Sequence, residues 1–312
     1  MNFQPVIKWS GSKKTQSEII VNKFPNEIDT YYEPFVGGGS ILRRLMSSNK
    51  HVESYMCSDI NEDLINLWKA IRDDPYTLFV KYGMMWKQLN IDENISRKKD
   101  YYNMVRARVN EDHQPEDFLF ISRTTVNGLI RYNNSGNLNN SFHLTRNGIN
   151  PETLSKIVLE WSKLLKENNV TFYQSSYEKI KSTEYDFLYL DPPYAATKGM
   201  YNGVIDYSKF FEWLRNQRAE YALSFDGKTN KEDYTYAVPE DLYSEHEYIF
   251  AGNSSFRRII GKSSDTDVSE SIYLKYNSLH QFTFDEFSHK HNPGFCGKCG
   301  VDCIYDNDGN LN

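Results

Sequence analysis

The fold is decided by the stretch Tyr31-Tyr32-Glu33-Pro34-Phe35-Val36-Gly37-Gly38-Gly39-Ser40, in which an apolar strand pattern leads into a glycine-rich turn and then a helical pattern. Glycines let the backbone pass close beneath a ligand, as in nucleotide-binding turns. The dinucleotide fingerprint is not met, because Leu42 occupies the position of its third glycine. Further on, Asp59 ends a second strand pattern, where a carboxylate would hydrogen-bond a ribose diol. Together these features predict an adenosine-containing cofactor without a bound pyrophosphate.

Strand and helix patterns alternate along the chain, which predicts an α/β domain around a largely parallel sheet. Runs rich in β-branched and aromatic residues predict strands at residues 31–36, 55–58, 170–173, 187–190, 221–225, 246–250 and 271–276. Apolar residues at three- and four-residue spacings predict helices at residues 13–22, 40–47, 62–72, 151–166 and 207–216. Residues 75–150 interrupt the alternation with helical patterns at 76–88 and 96–109 and an asparagine-rich stretch, which indicates an inserted subdomain.

The composition is typical of a soluble globular protein, because 39% of the 312 residues are hydrophobic and 25% are charged. No apolar run approaches the roughly 20 residues of a membrane span, and the first residues lack the layout of a signal peptide. We therefore expect no membrane partner and a cytoplasmic location. Three of the four cysteines are clustered near the end of the chain, which fits a reducing compartment better than a disulfide framework.

Charge is distributed unevenly around the formal net value of -6. Residues 118–151 and residues 248–264 contain no acidic side chain, and each window has a local charge of +3. A polyanionic partner such as a nucleic acid would favour such local basic patches. Acid-free windows of this length also arise by chance, so charge alone leaves the partner open.

Asp191-Pro192-Pro193-Tyr194 follows directly on an apolar run, at the carboxyl end of a predicted parallel strand. Ligands and catalytic groups gather at this edge of open α/β sheets. Two successive prolines remove backbone donors and stiffen the turn, so the carbonyl groups of Asp191 and Pro192 can point into a cleft. The tetrapeptide therefore offers an acid, carbonyl acceptors and an aromatic face at one place.

The ordered motifs of the chain resemble those of the Dam-type adenine-specific DNA methyltransferases. They are Lys8-Trp9-Ser10-Gly11-Ser12-Lys13, the glycine-rich stretch, Asp59-Ile60-Asn61-Glu62-Asp63-Leu64-Ile65-Asn66 and Asp191-Pro192-Pro193-Tyr194. Residues 122–133, with Gly136-Asn137 just after them, resemble the target-recognition hairpin of the family. The resemblance spans residues 6–276.

The resemblance implies an α/β fold with a Rossmann-like seven-stranded methyltransferase sheet and an inserted, mainly helical target-recognition subdomain. Residues 1–74 and 151–280 would form the catalytic domain, residues 75–150 the inserted subdomain, and residues 281–312 an acidic tail. The implied activity is site-specific transfer of a methyl group from S-adenosylmethionine to the 6-amino group of a flipped adenine in double-stranded DNA.

The resemblance also implies the site residues. S-adenosylmethionine would be bound by Lys8, Trp9, Lys13, Phe35, Gly37, Gly39 and Asp59. The catalytic residues would be Asp191, Pro192 and Tyr194, because the Tyr194 ring can stack on the flipped base while the Asp191 carboxylate and the Pro192 carbonyl accept its amino hydrogens. This chemistry requires no metal.

Contacts to DNA are expected from the hairpin and the second basic window, at Arg123, Asn127, Leu129, Arg131, Asn133, Arg257 and Arg258. Arg131 is the candidate for reading a base, because arginine can contact guanine bidentately in the major groove. Arg257 and Arg258 are candidates for phosphate contacts, which position the duplex without specifying sequence. The chain departs from the family pattern at Val126 and at Ser141-Phe142-His143, so the recognised DNA sequence stays open.

The tail contains a cysteine cluster that the resemblance does not cover. Cys296, Cys299 and Cys303, preceded by His291, have a spacing that could enclose one structural zinc ion in tetrahedral coordination. The alternative is a disordered acidic tail with reactive thiols.

Two other functions fit parts of the sequence. Methyl transfer to an amide or to an RNA base is disfavoured by Asp191, because such enzymes more often carry Asn-Pro-Pro-Tyr. A DNA-binding protein without catalysis is disfavoured because the motif at Asp191 and the glycine-rich turn are both intact. The sequence leaves open the oligomeric state, with a monomer among the alternatives, the presence of a cognate nuclease and a viral or cellular source.

Overall fold

A computed structural model describes residues 4–193, 205–253 and 267–277. The described strands are β1 (Glu27–Glu33), β2 (His51–Asp59), β3 (Val170–Gln174), β4 (Phe187–Leu190), β5 (Glu220–Thr229), β6 (Glu245–Asn253) and β7 (Asp267–Lys275). The described helices are α1 (Ser17–Asn22), α2 (Ser40–Met46), α3 (Glu62–Asp73), α4 (Pro75–Leu89), α5 (Ile95–Asp112), α6 (Pro115–Thr124), α7 (Pro151–Glu167) and α8 (Tyr207–Arg215). None of these helices is long and apolar enough to cross a membrane.

The strands form one sheet in the order β3-β2-β1-β4-β5-β7-β6. β1 to β5 pair in parallel, whereas β7 pairs antiparallel with both β5 and β6. This arrangement confirms the predicted seven-stranded, Rossmann-like methyltransferase sheet. The chain moves outward from β1 through β2 to β3 and then returns to β4 on the other side of β1. The boundary between β1 and β4 is therefore the topological switch point, where open α/β sheets bind their ligands.

Large aromatic side chains attach the helices to the sheet. Trp68 of α3 stacks on Phe172 of β3 with ring centroids 5.5 Å apart, and Trp161 of α7 packs on Trp68 at 4.8 Å. All four residues of β4 are buried, as expected for a parallel strand that is covered on both faces. Phe210 of α8 belongs to the apolar cluster that covers β4 and β5.

Polar side chains cap the first turns of α3 and α8. Asn61 Oδ1 accepts a hydrogen bond from the Leu64 amide at 2.9 Å, so α3 begins directly after the turn that follows β2. Asp206 Oδ1 accepts hydrogen bonds from the amides at the start of α8. Such caps contribute about 1 kcal/mol each.

Several predicted boundaries are wrong: β2 begins at His51 instead of residue 55, β5 ends at Thr229 instead of residue 225, and β7 begins at Asp267 instead of residue 271. Two further boundary errors have a clear physical cause. The strand expected at residues 31–36 is β1, which starts at Glu27 and ends at Glu33, because Pro34 has no amide hydrogen with which to continue the ladder. The helix expected from residue 13 starts at Ser17, because Lys13 belongs to the preceding irregular segment and its side chain is engaged elsewhere.

The region between α3 and α7 contains α4, α5, α6 and a hairpin. The sequence does not predict α6, because Phe118, Leu119, Phe120 and Ile121 are all fully buried and give a continuous apolar run without helical periodicity. α6 packs on α3, α4 and α5. The described residues up to Lys275 group into one compact unit, and the domain boundaries at residues 75, 151 and 281 stay predictions.

Candidate active site

Three motifs meet at the carboxyl edge of the sheet beside the switch point. The Gly37 amide, after β1, donates a hydrogen bond to Asp59 Oδ2, at the end of β2, over 3.4 Å. The Val36 amide donates to the Ser58 carbonyl at 3.0 Å. Asp191 follows β4, which pairs with β1 through Tyr31 and Phe187. The structure therefore brings the glycine-rich turn and Asp59 together as expected.

The glycine-rich turn requires glycine for both conformation and space. Gly37 and Gly39 have φ angles of +46° and +68°, in the left-handed region. A Cβ atom on Gly37 would lie 2.8 Å from Cδ1 of Trp9, and one on Gly39 would lie 2.9 Å from Cζ2 of Trp68. Trp9, an expected cofactor residue, thus packs directly against the turn.

Asp59 is a half-buried carboxylate with two different backbone donors. In addition to the Gly37 amide, the Asn61 amide donates to its other oxygen, Oδ1, at 3.0 Å. Burial raises the pKa of Asp59 to about 6, and these backbone hydrogen bonds oppose the rise. Each carboxylate oxygen has two acceptor sites, so Asp59 keeps acceptor capacity for the hydroxyl groups of a diol. Phe35, half-buried, packs on Tyr177 with ring centroids 5.8 Å apart.

Asp191 is held by a buried lysine. Lys13 Nζ lies 2.9 Å from Asp191 Oδ1 and 3.2 Å from Oε2 of Glu270, and its side chain is only 4% exposed. Burial alone would lower the pKa of Lys13, but the two carboxylates outweigh it and the pKa is raised. Lys13, expected beside the cofactor, therefore forms an ion pair with the candidate catalytic acid.

Glu33 is a buried carboxyl group near Asp191. Glu33 accepts a hydrogen bond from Oη of Tyr31 at 2.8 Å. Burial raises the pKa of Glu33 to about 8, and the negative charge of Asp191 adds to this rise. At neutral pH Glu33 is therefore mostly protonated, which limits the negative charge at this edge of the sheet.

Two further residues contact the Asp191 motif and were not predicted. Glu270 reaches Lys13 from β7, and Tyr207 Oη, at the start of α8, donates to the Pro193 carbonyl at 2.6 Å. Neither residue stands in a recognisable motif, because their positions depend on the antiparallel insertion of β7 and on the return of the chain into α8. Pro192 is buried.

Of the expected DNA-binding residues that the structure describes, Arg131 and Asn133 lie on a short hairpin, and Asn127 and Leu129 precede it. Tyr132 and Leu138 form an antiparallel bridge, and Asn133 Oδ1 closes the turn by accepting from the amides of Ser135 and Asn137. Arg131 is exposed. Leu129 is half-buried, and Asn127 lies in the short 3-10 turn Val126–Gly128.

Two expected site residues have neighbours that the sequence did not indicate. Lys8, assigned to the cofactor, packs on Gly128, where an added Cβ would lie 2.9 Å from Lys8 Cβ. Partial burial and then the charges of Arg146 and Arg123 lower the pKa of Lys8, so Lys8 lies in the same basic environment as these two arginines. Arg123 is itself half-buried and donates to the Pro5 carbonyl, and burial lowers its pKa to about 10.

Several expected site residues lie outside the described residues: Tyr194, Arg257, Arg258, His291, Cys296, Cys299 and Cys303. Within residues 4–193, 205–253 and 267–277, no group of three or more His, Cys, Asp or Glu side chains is arranged to hold a metal ion. The zinc site of the tail stays a prediction without support.

The sheet order and the motifs at its edge define an α/β methyltransferase-like protein. The sequence profile of the D12 class N6 adenine-specific DNA methyltransferases matches residues 9–277. The chain belongs to this family.

The chain is similar to several proteins that are named as methyltransferases or methylases. The chain is 32% identical to the type II methyltransferase M.MjaIII of Methanocaldococcus jannaschii over 213 residues, which are 62% of this chain and 70% of the relative. It is 29% identical to a DNA adenine methylase of Haemophilus influenzae, over 62% of this chain and 65% of the relative. It is 26% identical to the modification methylase StsI of Streptococcus sanguinis, over 80% of this chain and 40% of the relative.

Proposed function

We propose that this protein methylates the 6-amino group of an adenine that is flipped out of duplex DNA, at a specific sequence, with S-adenosylmethionine as the donor. The observation that carries the proposal is the position of Asp191 at the switch point, oriented by Lys13 and beside the glycine-rich turn. Family membership supports adenine as the target, and the names of the relatives support DNA as the substrate.

S-adenosylmethionine, when bound, supplies an electrophilic methyl group on its sulfonium sulfur. We assign Asp59 to the ribose diol, and Trp9, Phe35, Gly37 and Gly39 to the walls and floor of the cofactor site. Lys13 is assigned to Asp191 instead, because its ammonium group is already shared between two carboxylates. Lys8 is assigned to the DNA side because it packs on Gly128 of the recognition segment.

The chemistry assigned to the Asp191 motif concerns the amino group of the base. This nitrogen is a poor nucleophile, since its lone pair is conjugated into the adenine ring. The Asp191 carboxylate and the Pro192 carbonyl accept the two amino hydrogens, which directs the lone pair out of the ring plane. Asp191 then accepts the departing proton, directly or through water. Positioning and electrostatics provide most of the rate enhancement, and no covalent bond to the protein is needed.

Residues 75–150 are assigned to target recognition. Arg131 is exposed on the hairpin and can reach a base edge, while Asn133 shapes the turn. Lys8 and Arg146 place positive charge beside Gly128, which favours the phosphate backbone. Tyr194, Arg257 and Arg258 keep the roles that the resemblance implies.

The test is methylation of plasmid DNA with isotopically labelled S-adenosylmethionine, followed by mapping of modified bases. Wild-type protein should label adenine within one recurrent sequence. Asp191→Ala should lower the rate by about 10²–10³-fold or more, because a positioned acceptor at the reacting atom is lost. Its cofactor affinity should stay within threefold, and exposed Asp29→Ala provides a matched control. Label on RNA or protein, or a rate of Asp191→Ala within tenfold of wild type, would overturn the proposal.

A further inference from the structure

The hairpin is attached to the turn that follows β2 through one tyrosine hydroxyl. Tyr132 Oη donates a hydrogen bond to Asp63 Oδ2 at 2.7 Å and accepts one from Asn61 Nδ2 at 2.9 Å. Burial and the adjacent Asp63 carboxylate raise the pKa of Tyr132 well above its ordinary value, so the hydroxyl keeps the proton that it donates. Neighbouring Arg131 and Asn133 are exposed, so the hairpin strand turns Tyr132 inward and its neighbours outward.

The same turn contacts the candidate ribose acceptor. The Asn61 backbone amide donates to Asp59 Oδ1 at 3.0 Å, while the Asn61 side chain bonds the tyrosine. One residue therefore connects the carboxylate assigned to the cofactor with the base of the hairpin assigned to DNA. Asn61 Oδ1 also accepts a hydrogen bond from the Leu64 amide as the cap of α3, so this side chain connects the hairpin to the start of that helix.

The hairpin has a second, independent attachment to α5. Asn110 Nδ2 donates to the Leu138 carbonyl at 3.1 Å, and the Leu138 amide donates to Asn110 Oδ1 at 2.6 Å. At the end of α5, His113 Nδ1 lies 2.7 Å from Asp63 Oδ1, the oxygen that Tyr132 does not use. Because α5 keeps the Leu138 strand in place, loss of the Tyr132 hydroxyl should release one strand of the hairpin without detaching the whole segment.

We propose that Tyr132 is a positioning residue that couples occupation of the cofactor site to the placement of the recognition hairpin on DNA. The inference rests on the proposed function. A ligand that fixes Asp59 also fixes the Asn61 amide bonded to it, and thereby favours the orientation of Tyr132 seen here. Coupling of this kind is reciprocal, so DNA strengthens cofactor binding by the same factor by which the cofactor strengthens DNA binding.

The test measures this coupling directly. The affinity of S-adenosylhomocysteine, which carries no transferable methyl group, is measured calorimetrically with and without a duplex containing the sequence mapped for the wild-type protein. Wild-type protein should bind it about 5- to 150-fold more tightly when the duplex is present, the usual range for allosteric coupling. Tyr132→Phe should reduce this ratio to within twofold of unity, while the affinity without DNA changes by less than threefold.

Two variants keep the result interpretable. Tyr185→Phe removes a hydroxyl from an exposed tyrosine outside the network and should keep the wild-type ratio. Asn61→Ser retains a side chain that caps helices well but loses the amide that donates to Tyr132. It should therefore also lose the coupling. If Tyr132→Phe does not fold, Asn61→Ser provides the test of the proposal.

The possible failures are distinct. A ratio near unity in wild-type protein that methylates adenine, or an unchanged ratio in Tyr132→Phe and Asn61→Ser, would overturn the inference and leave the proposed function standing. A wild-type protein that neither binds S-adenosylhomocysteine nor methylates DNA would overturn both.

Discussion

The Lys13 ammonium group lies 2.9 Å from the Asp191 carboxylate, although Lys13 precedes the first helix and Asp191 follows the fourth strand. Glu270 of β7 lies 3.2 Å from the same ammonium group. A buried cation shared by two carboxylates restricts the orientation of both. Removing the cation would leave two negative charges facing each other at low exposure, which is strongly destabilising.

We predict that Lys13→Met lowers the rate of methyl transfer by about 10²-fold, the size of a general acid–base contribution, because Asp191 loses the donor that orients it. The affinity for S-adenosylhomocysteine should change by less than threefold. Single-turnover kinetics and calorimetry measure the two quantities. Lys14→Met, which changes an exposed neighbour, serves as the control and should behave as wild type.

A double variant separates orientation from charge balance. Glu270→Gln removes one of the two negative charges, so Lys13→Met combined with Glu270→Gln should regain part of the folding stability lost in Lys13→Met. The rate should stay low, because Asp191 still lacks its lysine. If Lys13→Met instead keeps its single-turnover rate and loses cofactor affinity, Lys13 belongs to the cofactor site as the sequence alone implied.

The sequence predicts the elements around the sheet well because their signals are local. A strand followed by glycines, or an acid after an apolar run, marks the carboxyl edge wherever it occurs. The partners of those residues are set by topology. Glu270 meets Lys13 because β7 inserts between β5 and β6, and no local pattern reports that insertion. The sequence also does not predict α6. A helix that is buried on all sides lacks the alternation of apolar and polar residues that would identify it.

Two glycines with similar backbone conformations should respond differently to alanine. Gly39 and Gly136 have φ angles of +68° and +78°, which cost a non-glycine residue about 1–2 kcal/mol. An added Cβ meets nothing within 4 Å at Gly136 but lies 2.9 Å from Trp68 at Gly39. We predict that Gly39→Ala loses about 1–3 kcal/mol more than Gly136→Ala in urea unfolding, because overpacking adds to the backbone cost. Equal losses would mean that Trp68 moves aside freely.

Alanine substitutions at Arg131 and at Lys8, which packs on Gly128, should have different effects on DNA recognition. Arg131→Ala should relax the sequence choice of methylation, since a bidentate arginine contact discriminates bases by about 1–3 kcal/mol. Lys8→Ala should weaken binding to all duplexes alike and reduce the salt slope of DNA affinity by about one. Deep sequencing of methylated plasmid and salt-dependent binding assays report the two properties. Identical site preference and identical salt slopes in the two variants would contradict this division.

The affinity for the cofactor should depend on pH through Asp59. Because burial raises the pKa of Asp59 to about 6, its carboxylate is protonated in the free protein on the acid side of that value. A ribose diol donates to the ionised form, so affinity for S-adenosylhomocysteine should fall by about tenfold between pH 7 and pH 5, as linkage to one proton requires. Asp59→Asn should bind weakly and show no such dependence.

Folding stability provides an independent check on the pKa of Asp59. Its dependence on pH has the opposite sign to that of the cofactor affinity. The pKa of Asp59 is higher in the folded protein than in the unfolded chain, where it has its ordinary value near 4. The folded state therefore binds more protons between about pH 4 and pH 6, and the contribution of Asp59 to stability decreases as the pH rises through that window. Without cofactor, Asp59→Asn should consequently have a higher Tm than wild type at pH 7 and a smaller advantage at pH 4. A variant that keeps the acid-side loss of affinity, or that gains no stability at pH 7, would show that Asp59 is not the titrating group.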